Sequence, residues 1–329
     1  MNTSGPNSET GSAPNPRFSV ITASYNYGHL VGRAIESVLR QSCRSFEIIV
    51  VDDGSTDDTP QVLARYGGAI RHLRQDNAGQ SRACNRGVDS ARGRFIVVLD
   101  ADDELLPDAL QRFSDAIDRF SSAESEQRIY FGGYVSVSQD GDERERTAGN
   151  APAEPDRRLS AYLRKRIPGI QNCSTAVPRA LLRHHRFPEG LRQNTDIVLF
   201  GQLLARFPAE RVDALIARIH EHPQRTRKQL DRVLDTGLKP VSALFDSAHM
   251  PAQLMPLKRV YLGQRLRSIA RMLYQERRFA DARNLYWRAL WHYPPAMAEG
   301  NSIKRMLIAT LRSIGRRSAL QLPDPDSRF

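Results

Sequence analysis

The sequence predicts an α/β fold: a mostly parallel, doubly wound sheet flanked by helices, followed by a helical C-terminal region. Apolar runs alternate with amphipathic segments from Phe18 onward, and the runs FEIIVVDD and RFIVVLD are almost continuous in Val, Ile and Leu. Strands covered on both faces of a parallel sheet have this composition. From about residue 224 the pattern becomes almost wholly helical, so the chain divides into a sheet-containing body and an appendage.

The individual elements follow from periodicity in chain order. Strands are predicted at FSVITA, FEIIVVDD, AIRHL and RFIVVLD, with helices between them at HLVGRAIESVLRQ, TPQVLARY and GQSRACNRGVDSA. A helix at PDALQRFSDAIDRF and a strand at RIYFGGYVSVS come next, and the polar stretch DGDERERTAGNAPAEPDRR is predicted to be a loop or a flexible hairpin. A helix at TDIVLFGQLLARF and a short strand at DALIARIH complete the body.

Composition limits the class of protein. No run approaches the roughly 18 apolar residues that a membrane-spanning helix needs, which argues against an integral membrane protein. Residues 1–16 are polar, with neither a basic nor an apolar segment, and are predicted to be a disordered leader rather than a signal peptide. We therefore expect a cytoplasmic location. Three cysteines far apart in the sequence predict neither a disulfide framework nor a zinc site.

Positive charge is concentrated at the C-terminal end. The chain carries a formal net charge of +11, and residues 255–329 hold 15 Lys and Arg against 5 Asp and Glu. Such an excess can indicate a nucleic-acid partner. The sequence shows no zinc-finger, RRM or helix-turn-helix signature, however, and the charge belongs to the appendage. We expect no nucleic-acid partner.

Polar residues follow three of the predicted strands. They are Ser24-Tyr25-Asn26, Asp52-Asp53 and Asp100-Ala101-Asp102. In open parallel sheets, ligands bind beyond the carboxyl ends of the strands, so these residues are expected to meet in one crevice. Neither a GxGxxG turn nor a P-loop is present to bind phosphate. Asp100 and Asp102 instead offer hard oxygen ligands that suit Mg²⁺ or Mn²⁺ bridging the oxygens of a diphosphate.

These blocks resemble those of family 2 glycosyltransferases, which have the GT-A fold. The similarity covers Phe18 to about His222 and is carried by ASYN, VVDDGSTDDT, VLDADDELLPD and the later NTDIVLFGQLLAR, in order and spacing. It implies an inverting, metal-dependent transfer of a sugar from a nucleotide-diphosphate donor, with a UDP-sugar favoured. The acceptor would be a hydroxyl of a glycan or lipid-linked molecule in surface polysaccharide or glycoconjugate biosynthesis.

The resemblance also implies a role for each donor-side residue. Ser24, Tyr25 and Asn26 match the block that lines the nucleobase and ribose. Asp53 matches the acid that hydrogen-bonds the base. Asp100 matches a carboxylate on the ribose or metal side, and Asp102 matches the carboxylate that binds the metal directly, so the resemblance implies that Asp100 and Asp102 are the metal ligands.

On the acceptor side the match is less complete. Asp196 matches the general base that takes the proton from the attacking hydroxyl, but Thr195 replaces the usual glutamate before it. The alternative for Asp196 is a favourable acid in the first turn of a helix, without a catalytic role. Arg218 and His220 resemble an Arg-x-His element near the diphosphate in part of the family.

The implied domain plan has two parts after the leader. Residues 17–222 form the transferase domain, with a nucleotide-sugar-binding half at 17–138 and an acceptor half at 139–222, and residues 223–329 form the basic helical region. A second hypothesis is that the domain is catalytically degenerate and acts as a scaffold through that region.

Two alternatives stay open for the helical region. One segment has tetratricopeptide-like spacing, but a lone unit favours a helical hairpin that packs Trp287 and Trp291 against the body. Residues 303–317 are amphipathic and basic with no acid, which suits an interfacial helix peripheral to an anionic membrane. An ordinary helix that packs its apolar side onto the protein would show the same pattern.

Overall fold

A mixed sheet forms the centre of the body in the computed structural model, which describes residues 15–221 and 230–322. Within these residues the sheet has nine strands. They are β1 (Phe18–Ser24), β2 (Phe46–Asp52), β3 (Arg71–Arg74), β4 (Phe95–Val98), β5 (Glu104–Leu105), β6 (Ile129–Val137), β7 (Glu143–Arg146), β8 (Thr175–Pro178) and β9 (Ala209–His220).

Helices cover the sheet and make up the region after it. Those of the body are α1 (Gly28–Leu39), α2 (Thr59–Ala64), α3 (Gln80–Ser90), α4 (Ala109–Ile117), α5 (Ser122–Ser125), α6 (Pro155–Leu163), α7 (Arg179–His184) and α8 (Thr195–Leu204). Those of the C-terminal region are α9 (Leu230–Thr236), α10 (Lys239–Leu244), α11 (Lys258–Gln275), α12 (Phe279–His292) and α13 (Ser302–Arg312).

The strand order is β3-β2-β1-β4-β8-β6-β9-β5, and β7 pairs with β6. Pairing is parallel from β3 through β4, as the buried Val- and Ile-rich runs predict. Beyond β4 the sheet is mixed, because β8 runs antiparallel to both β4 and β6 while β9 runs parallel to β6. The α/β class is therefore confirmed, and each antiparallel pair among the described residues includes a strand that follows residue 138, namely β7, β8 or β9.

Each face of the sheet has its own apolar core. Successive residues of β1 point to opposite faces, so Val20 packs in the core beneath α1 and α4, whereas Ile21 packs in the core beneath α3, α7 and α8. Leu199 of α8 shares the second core with Cys84 of α3. Helix α8, which carries Asp196 in its first turn, is thus held on the same face of the sheet as α3.

A third core joins the C-terminal helices to the body. Leu159 of α6 and Val198 of α8 pack with Leu266 of α11 and Leu285 of α12. The predicted boundary near residue 222 and most of the predicted leader lie outside the described residues. In the part of the chain that the structure describes, we find no helix with the length and apolar character needed to cross a membrane.

The predicted helical hairpin exists as α11 and α12, but its tryptophans do not pack against the body. Trp287 is 51% exposed and Trp291 is 86% exposed, so the expectation that they are buried is wrong. The buried stripe of α12 instead contains Leu285, Tyr286 and Ala289. The two tryptophans lie on the opposite side of the helix from that stripe, because each helical residue turns by about 100°.

Candidate active site

The ends of β1, β2 and β4 lie side by side at one edge of the sheet. Ser24 is paired in register with Asp52, and the backbone N–H of Asp53 donates to the carbonyl of Ser24 over 2.8 Å. On the other side of β1, Ile21 is paired with Val98, the last residue of β4. The three polar segments predicted from the sequence are therefore brought together.

Asn26 ties the first polar segment to the second. It has a left-handed backbone, with φ of 57°. Its Oδ1 accepts from the backbone N–H of Thr56 over 2.8 Å and from that of Asp57 over 3.4 Å. Its own N–H donates to Oγ of Ser55 over 2.9 Å. Asn26 thus builds the turn that follows β2, and a ligand role for it would come in addition.

The two residues before Asn26 differ in their exposure. Tyr25 is 44% exposed, which leaves its ring accessible at the end of β1. Ser24 is buried, and its Oγ makes no hydrogen bond among the described residues. An orphaned buried hydroxyl is costly, so Ser24 is a position where a bound ligand can supply the missing partner.

Asp53 fixes the loop that leads into α3. Its Oδ1 accepts from Nε2 of Gln75 over 2.7 Å and from the backbone N–H of Ala78 over 2.9 Å. Its Oδ2 accepts from the N–H of Gly79 over 2.8 Å. Gly79 has a φ of 92°, a conformation that favours glycine, and it directly precedes α3. The buried carboxylate of Asp53 is preorganised by these three donors.

The start of α3 lies between the carboxylates of Asp53 and Asp100. Next to Gly79, Gln80 donates from Nε2 to Oδ1 of Asp100 over 3.0 Å. Burial raises the pKa of the Cys84 thiol one turn further on, and the negative charges of Asp100 and Asp53 act in the same direction. The buried Cys84 is therefore a neutral thiol, and the hydrogen bonds of Gly79 and Gln80 join the strand ends of β2 and β4 at the start of α3.

The acidic loop after β4 is held from two sides. Asp102 is 9% exposed, and its backbone carbonyl accepts from Arg33 of α1. Asp103 accepts the backbone N–H of His220 over 3.0 Å, and Glu104 lies 2.8 Å from Nε2 of the same histidine. Asp103 and Glu104 thus position the loop that carries Asp102.

Arg218 and His220 reach this loop through strand pairing. β5 runs antiparallel to β9, with Glu104 opposite Arg218. The guanidinium of Arg218 lies 3.1 Å from the carboxylate of Glu143 on β7, and the ring of His220 contacts Glu104. The structure therefore places both residues beside the acidic loop, each in contact with a protein carboxylate.

Asp196 lies in the first turn of α8, and Asn194, the residue before this helix, has a left-handed φ of 61°. Tyr261 of α11, which was not predicted from the sequence, is buried in the core that also contains Val198 of α8. Burial raises the pKa of Tyr261 to about 12; Arg265 acts in the opposite direction, and the charge of Asp196 acts in the same one. A residue of the C-terminal region thus packs in the same core as the helix that carries the predicted base.

The segment before α8 is held by α3, another feature that the sequence did not indicate. Asn85 donates from Nδ2 to the carbonyl of Phe187, whose N–H donates back to Oδ1, both over 3.0 Å. Arg186 forms two hydrogen bonds of 2.7 Å with Asp89. A groove of about 590 Å³ lies between this segment and the loop after β3; it is lined by Gln75, Asp76, Asn77, Ala78, Arg82, Asn85, Arg86, Asp89, Arg186 and Glu189.

The acidic loop fits a divalent cation that is shared with a ligand. Among the described residues there is no cluster of three or more His, Cys, Asp or Glu side chains that would hold a metal alone. Asp100 and Asp102 supply two carboxylates, and Mg²⁺ typically binds through one or two carboxylates together with substrate phosphates and water. These two side chains are thus of the type that can share such an ion with a ligand.

Comparison with known proteins assigns the family. The sequence model for Glycosyl transferase family 2 matches residues 19–185, about half of the chain. The chain belongs to this family. The predicted resemblance is therefore confirmed. The matched segment contains the strand ends of β1, β2 and β4 but not Asp196, Arg218 or His220, and the role of every predicted site residue stays a prediction.

Curated relatives of this family 2 protein match it over part of their length. The succinoglycan biosynthesis protein ExoO of Rhizobium meliloti is 41% identical over 31% of this chain and 30% of its own. The putative teichuronic acid biosynthesis glycosyltransferase TuaG of Bacillus subtilis is 35% identical over 38% of this chain and 50% of its own. The chain thus spans half or less of the length of these relatives.

Solved structures support the fold over almost the whole chain. S. aureus TarS in complex with UDP-GlcNAc superposes with a TM-score of 0.52 and 18% identity, covering 94% of this chain and 95% of that structure. The mannosyltransferase PcManGT of Pyrobaculum calidifontis, solved with GDP-Man and Mn²⁺, gives a TM-score of 0.50 at 18% identity, with 91% and 87% covered. These likenesses confirm the GT-A-type fold with its helical C-terminal region.

Proposed function

We propose that this family 2 protein is an inverting glycosyltransferase that takes a sugar from a nucleotide-diphosphate donor. The observation that carries the proposal is the convergence of three strand ends around the start of α3. There the carboxylate of Asp53 accepts from the N–H of Gly79 and that of Asp100 accepts from Gln80, the first residue of α3, with Asp102 two residues further along. Ligands bind at such edges in open α/β sheets.

The donor is proposed to lie across this edge. Tyr25 is exposed and can stack on a base, and the orphaned Oγ of Ser24 can bond the nucleoside. Asp53 would bond the base, with Asn26 holding the turn beside it. We favour a UDP-sugar, since TarS has been solved with UDP-GlcNAc, and we keep a GDP-sugar in the tests because PcManGT has been solved with GDP-Man.

Asp100 and Asp102 are proposed to hold Mn²⁺ or Mg²⁺ when the donor is bound. The cation would neutralise negative charge on the diphosphate as the bond to the sugar breaks. Arg218 and His220 lie beside the same loop, and we propose that they contact the diphosphate. To do so, Arg218 would exchange its contact with Glu143 for the phosphate.

Asp196 is proposed to be the general base. Its carboxylate would take the proton from the acceptor hydroxyl while that oxygen attacks the anomeric carbon, on the face opposite the leaving diphosphate. The pairing of Asn85 with Phe187 fixes the segment that leads to α8, and Tyr261 of α11 packs in the core that contains Val198 of α8. The acceptor half thus has its own positioning contacts.

The acceptor is proposed to be a hydroxyl of a glycan or a lipid-linked glycan in surface polysaccharide biosynthesis. Support comes from the names of ExoO and TuaG, which refer to succinoglycan and teichuronic acid. We place the protein in the cytoplasm, peripheral to the inner face of the membrane through residues 303–317. We also propose the division into residues 17–138, 139–222 and 223–329.

Calorimetric titration tests the proposal. UDP, GDP and dTDP are titrated with and without Mn²⁺ into the wild type, Asp102→Asn and the control Asp140→Asn, which neutralises an exposed acid on a turn. We expect one nucleotide to bind in a Mn²⁺-dependent way to the wild type and the control only. If no nucleotide binds the folded wild type, the transferase proposal fails and the degenerate scaffold becomes the better account.

A further inference from the structure

The last helix leaves several of its large apolar residues exposed. Ser302, Met306 and Ala309 are the buried residues of α13. The apolar stripe consists of Ile303, Leu307, Leu311 and Ile314, which are 52%, 54%, 68% and 73% exposed. Ile303, Leu307 and Leu311 are spaced by four residues, which places them on one side of the helix axis, and Ile314 follows in the turn after α13. The structure therefore decides against a helix that buries its apolar side on the protein.

This orientation is fixed by contacts on the other side of α13. Arg312 lies over the ring of Phe279, 5.1 Å from its centre. Arg283 of α12 donates to the carbonyl of Ser313 over 3.1 Å and to that of Arg316 over 2.9 Å. Rolling the stripe inward would break these contacts, so its exposure is part of the folded structure.

The segment after α13 adds a second anchor. Asp281 of α12 accepts through Oδ1 from Oγ of Ser318 over 2.8 Å and from the N–H groups of Ala319 and Leu320, each over 3.1 Å. Its Oδ2 accepts two bonds from Arg278. The chain is thereby fixed at Ser313, through its bond from Arg283, and again at Ser318, through its bond to Asp281.

The surroundings of the stripe are basic and aromatic. Between Gly300 and Pro323 the chain has no Asp or Glu and five basic residues, namely Lys304, Arg305, Arg312, Arg316 and Arg317. α12, which packs against α13, exposes Trp287 and Trp291 one turn apart. Apolar side chains flanked by cations, with tryptophan nearby, are the composition of surfaces that lie in the headgroup region of a bilayer.

We propose that the apolar stripe inserts into the headgroup region of an anionic lipid bilayer, with the exposed cations Lys304, Arg316 and Arg317 against the lipid phosphates and Trp287 and Trp291 at the same interface. The helix would lie in the plane of the surface. A second copy of the chain fits less well, because a two-fold contact would bring two sets of these cations together without an acid between residues 301 and 322. This inference sharpens the peripheral attachment proposed above but needs no donor, metal or catalysis.

The test is co-sedimentation of the full chain with vesicles of phosphatidylcholine alone or mixed with phosphatidylglycerol at about 30%. The apolar variant is Leu307→Gln with Leu311→Gln. The charge variant replaces Lys304, Arg316 and Arg317 by Gln, and its matched control replaces the exposed Arg65, Arg112 and Arg144 of the body by Gln. We expect binding only to the anionic vesicles, lowered at least about tenfold by either variant and unchanged in the control.

Folding and nucleotide binding are followed in the same samples. Circular dichroism must show the wild-type helix content in each variant, and light scattering reports the oligomeric state. The inference is overturned if the folded wild type does not bind anionic vesicles, or if the Leu variant binds them as well as the wild type does. It is also overturned if the wild type is a dimer and the Leu variant is a monomer, because the stripe would then be a dimer interface. Failure of nucleotide binding with intact vesicle binding would reject the transferase proposal alone.

Discussion

We call the ends of β1, β2 and β4 the donor edge of the sheet. Several of its polar residues are hydrogen-bonded within the protein, whereas several apolar residues of the last helix are exposed. At the edge, Asp53 and Asn26 have their oxygens bonded to backbone N–H groups of neighbouring loops. On α13, Leu307 and Leu311 face away from the protein. Internal hydrogen bonds show that a polar residue is preorganised without showing what it binds, whereas exposed apolar residues indicate a partner outside the protein. The two regions therefore need different experiments.

The largest expected effect separates chemistry from binding at the edge. Asp196→Asn removes the proposed base. It should lower the rate at which the protein hydrolyses a sugar nucleotide by about 10²–10⁴-fold, with water as the acceptor and with the nucleotide that calorimetry identifies as the donor's nucleotide part. Nucleotide affinity should not change, because the base acts on the acceptor side. Full activity in Asp196→Asn would show that this acid only stabilises the first turn of α8.

Asn26 tests whether an edge residue builds the turn or touches the ligand. Asn26→Ala removes the acceptor of the Thr56 and Asp57 N–H groups and makes the left-handed backbone less favourable. It should lower the free energy of unfolding by about 1–2 kcal/mol, measured by urea denaturation. Asn26→Asp keeps the acceptor oxygen and should retain most of that stability. Equal losses in the two variants would contradict the turn-building role.

Asp281 tests the anchor behind the apolar stripe. Burial alone would raise its pKa, but hydrogen bonds from Ser318 and Arg278 lower the pKa below the ordinary 3.8. A carboxylate with a lowered pKa stabilises the fold above the unfolded pKa and loses this contribution as the pH falls through the folded pKa. Asp281→Asn should therefore cost about 1–2 kcal/mol at pH 7 and progressively less below about pH 4.

Thermal unfolding of the wild type and Asp281→Asn across this pH range measures that difference. A gap between the two proteins that stays constant down to pH 2 would mean that the charge of Asp281 does not contribute.

The smallest expected effect concerns Tyr261, where the helical region meets the acceptor side. Tyr261→Phe removes a buried hydroxyl whose pKa is raised by burial and by the charge of Asp196, and it keeps the ring. The stability change should be within about 1 kcal/mol, because no bonded partner is left behind. If Tyr261 positions the base, the pH profile of turnover will shift with little change in KM. An unchanged profile would reduce its role to packing.

Long periodic segments were predictable from the sequence, whereas short buried ones were not. β1, β2 and β4 have continuous apolar runs, and α8 has a clear helical pattern. β5 and β8 have two and four residues and become strands only through pairing with β9, β4 and β6. The sequence also gave no sign that β9 extends over twelve residues.

The same distinction holds for the candidate site. The residues at the strand ends were predictable because topology dictates where parallel strands end. The clamp of Asn85 on Phe187 and the packing of Tyr261 in one core with Val198 depend on contacts between distant segments. For α12, composition could not show which stripe is buried, because the neighbouring helices decide that.

Hydrogen–deuterium exchange of the full chain most directly tests whether the molecule has a donor edge and a separate membrane surface. With nucleotide and Mn²⁺, we expect slower exchange in residues 24–26, 53–57 and 100–103 and no change in residues 303–314. With anionic vesicles, we expect protection in residues 303–317 and around Trp287 and Trp291, and no change at the strand ends. Protection by the nucleotide confined to the C-terminal helices, with the strand ends unaffected, would contradict the account.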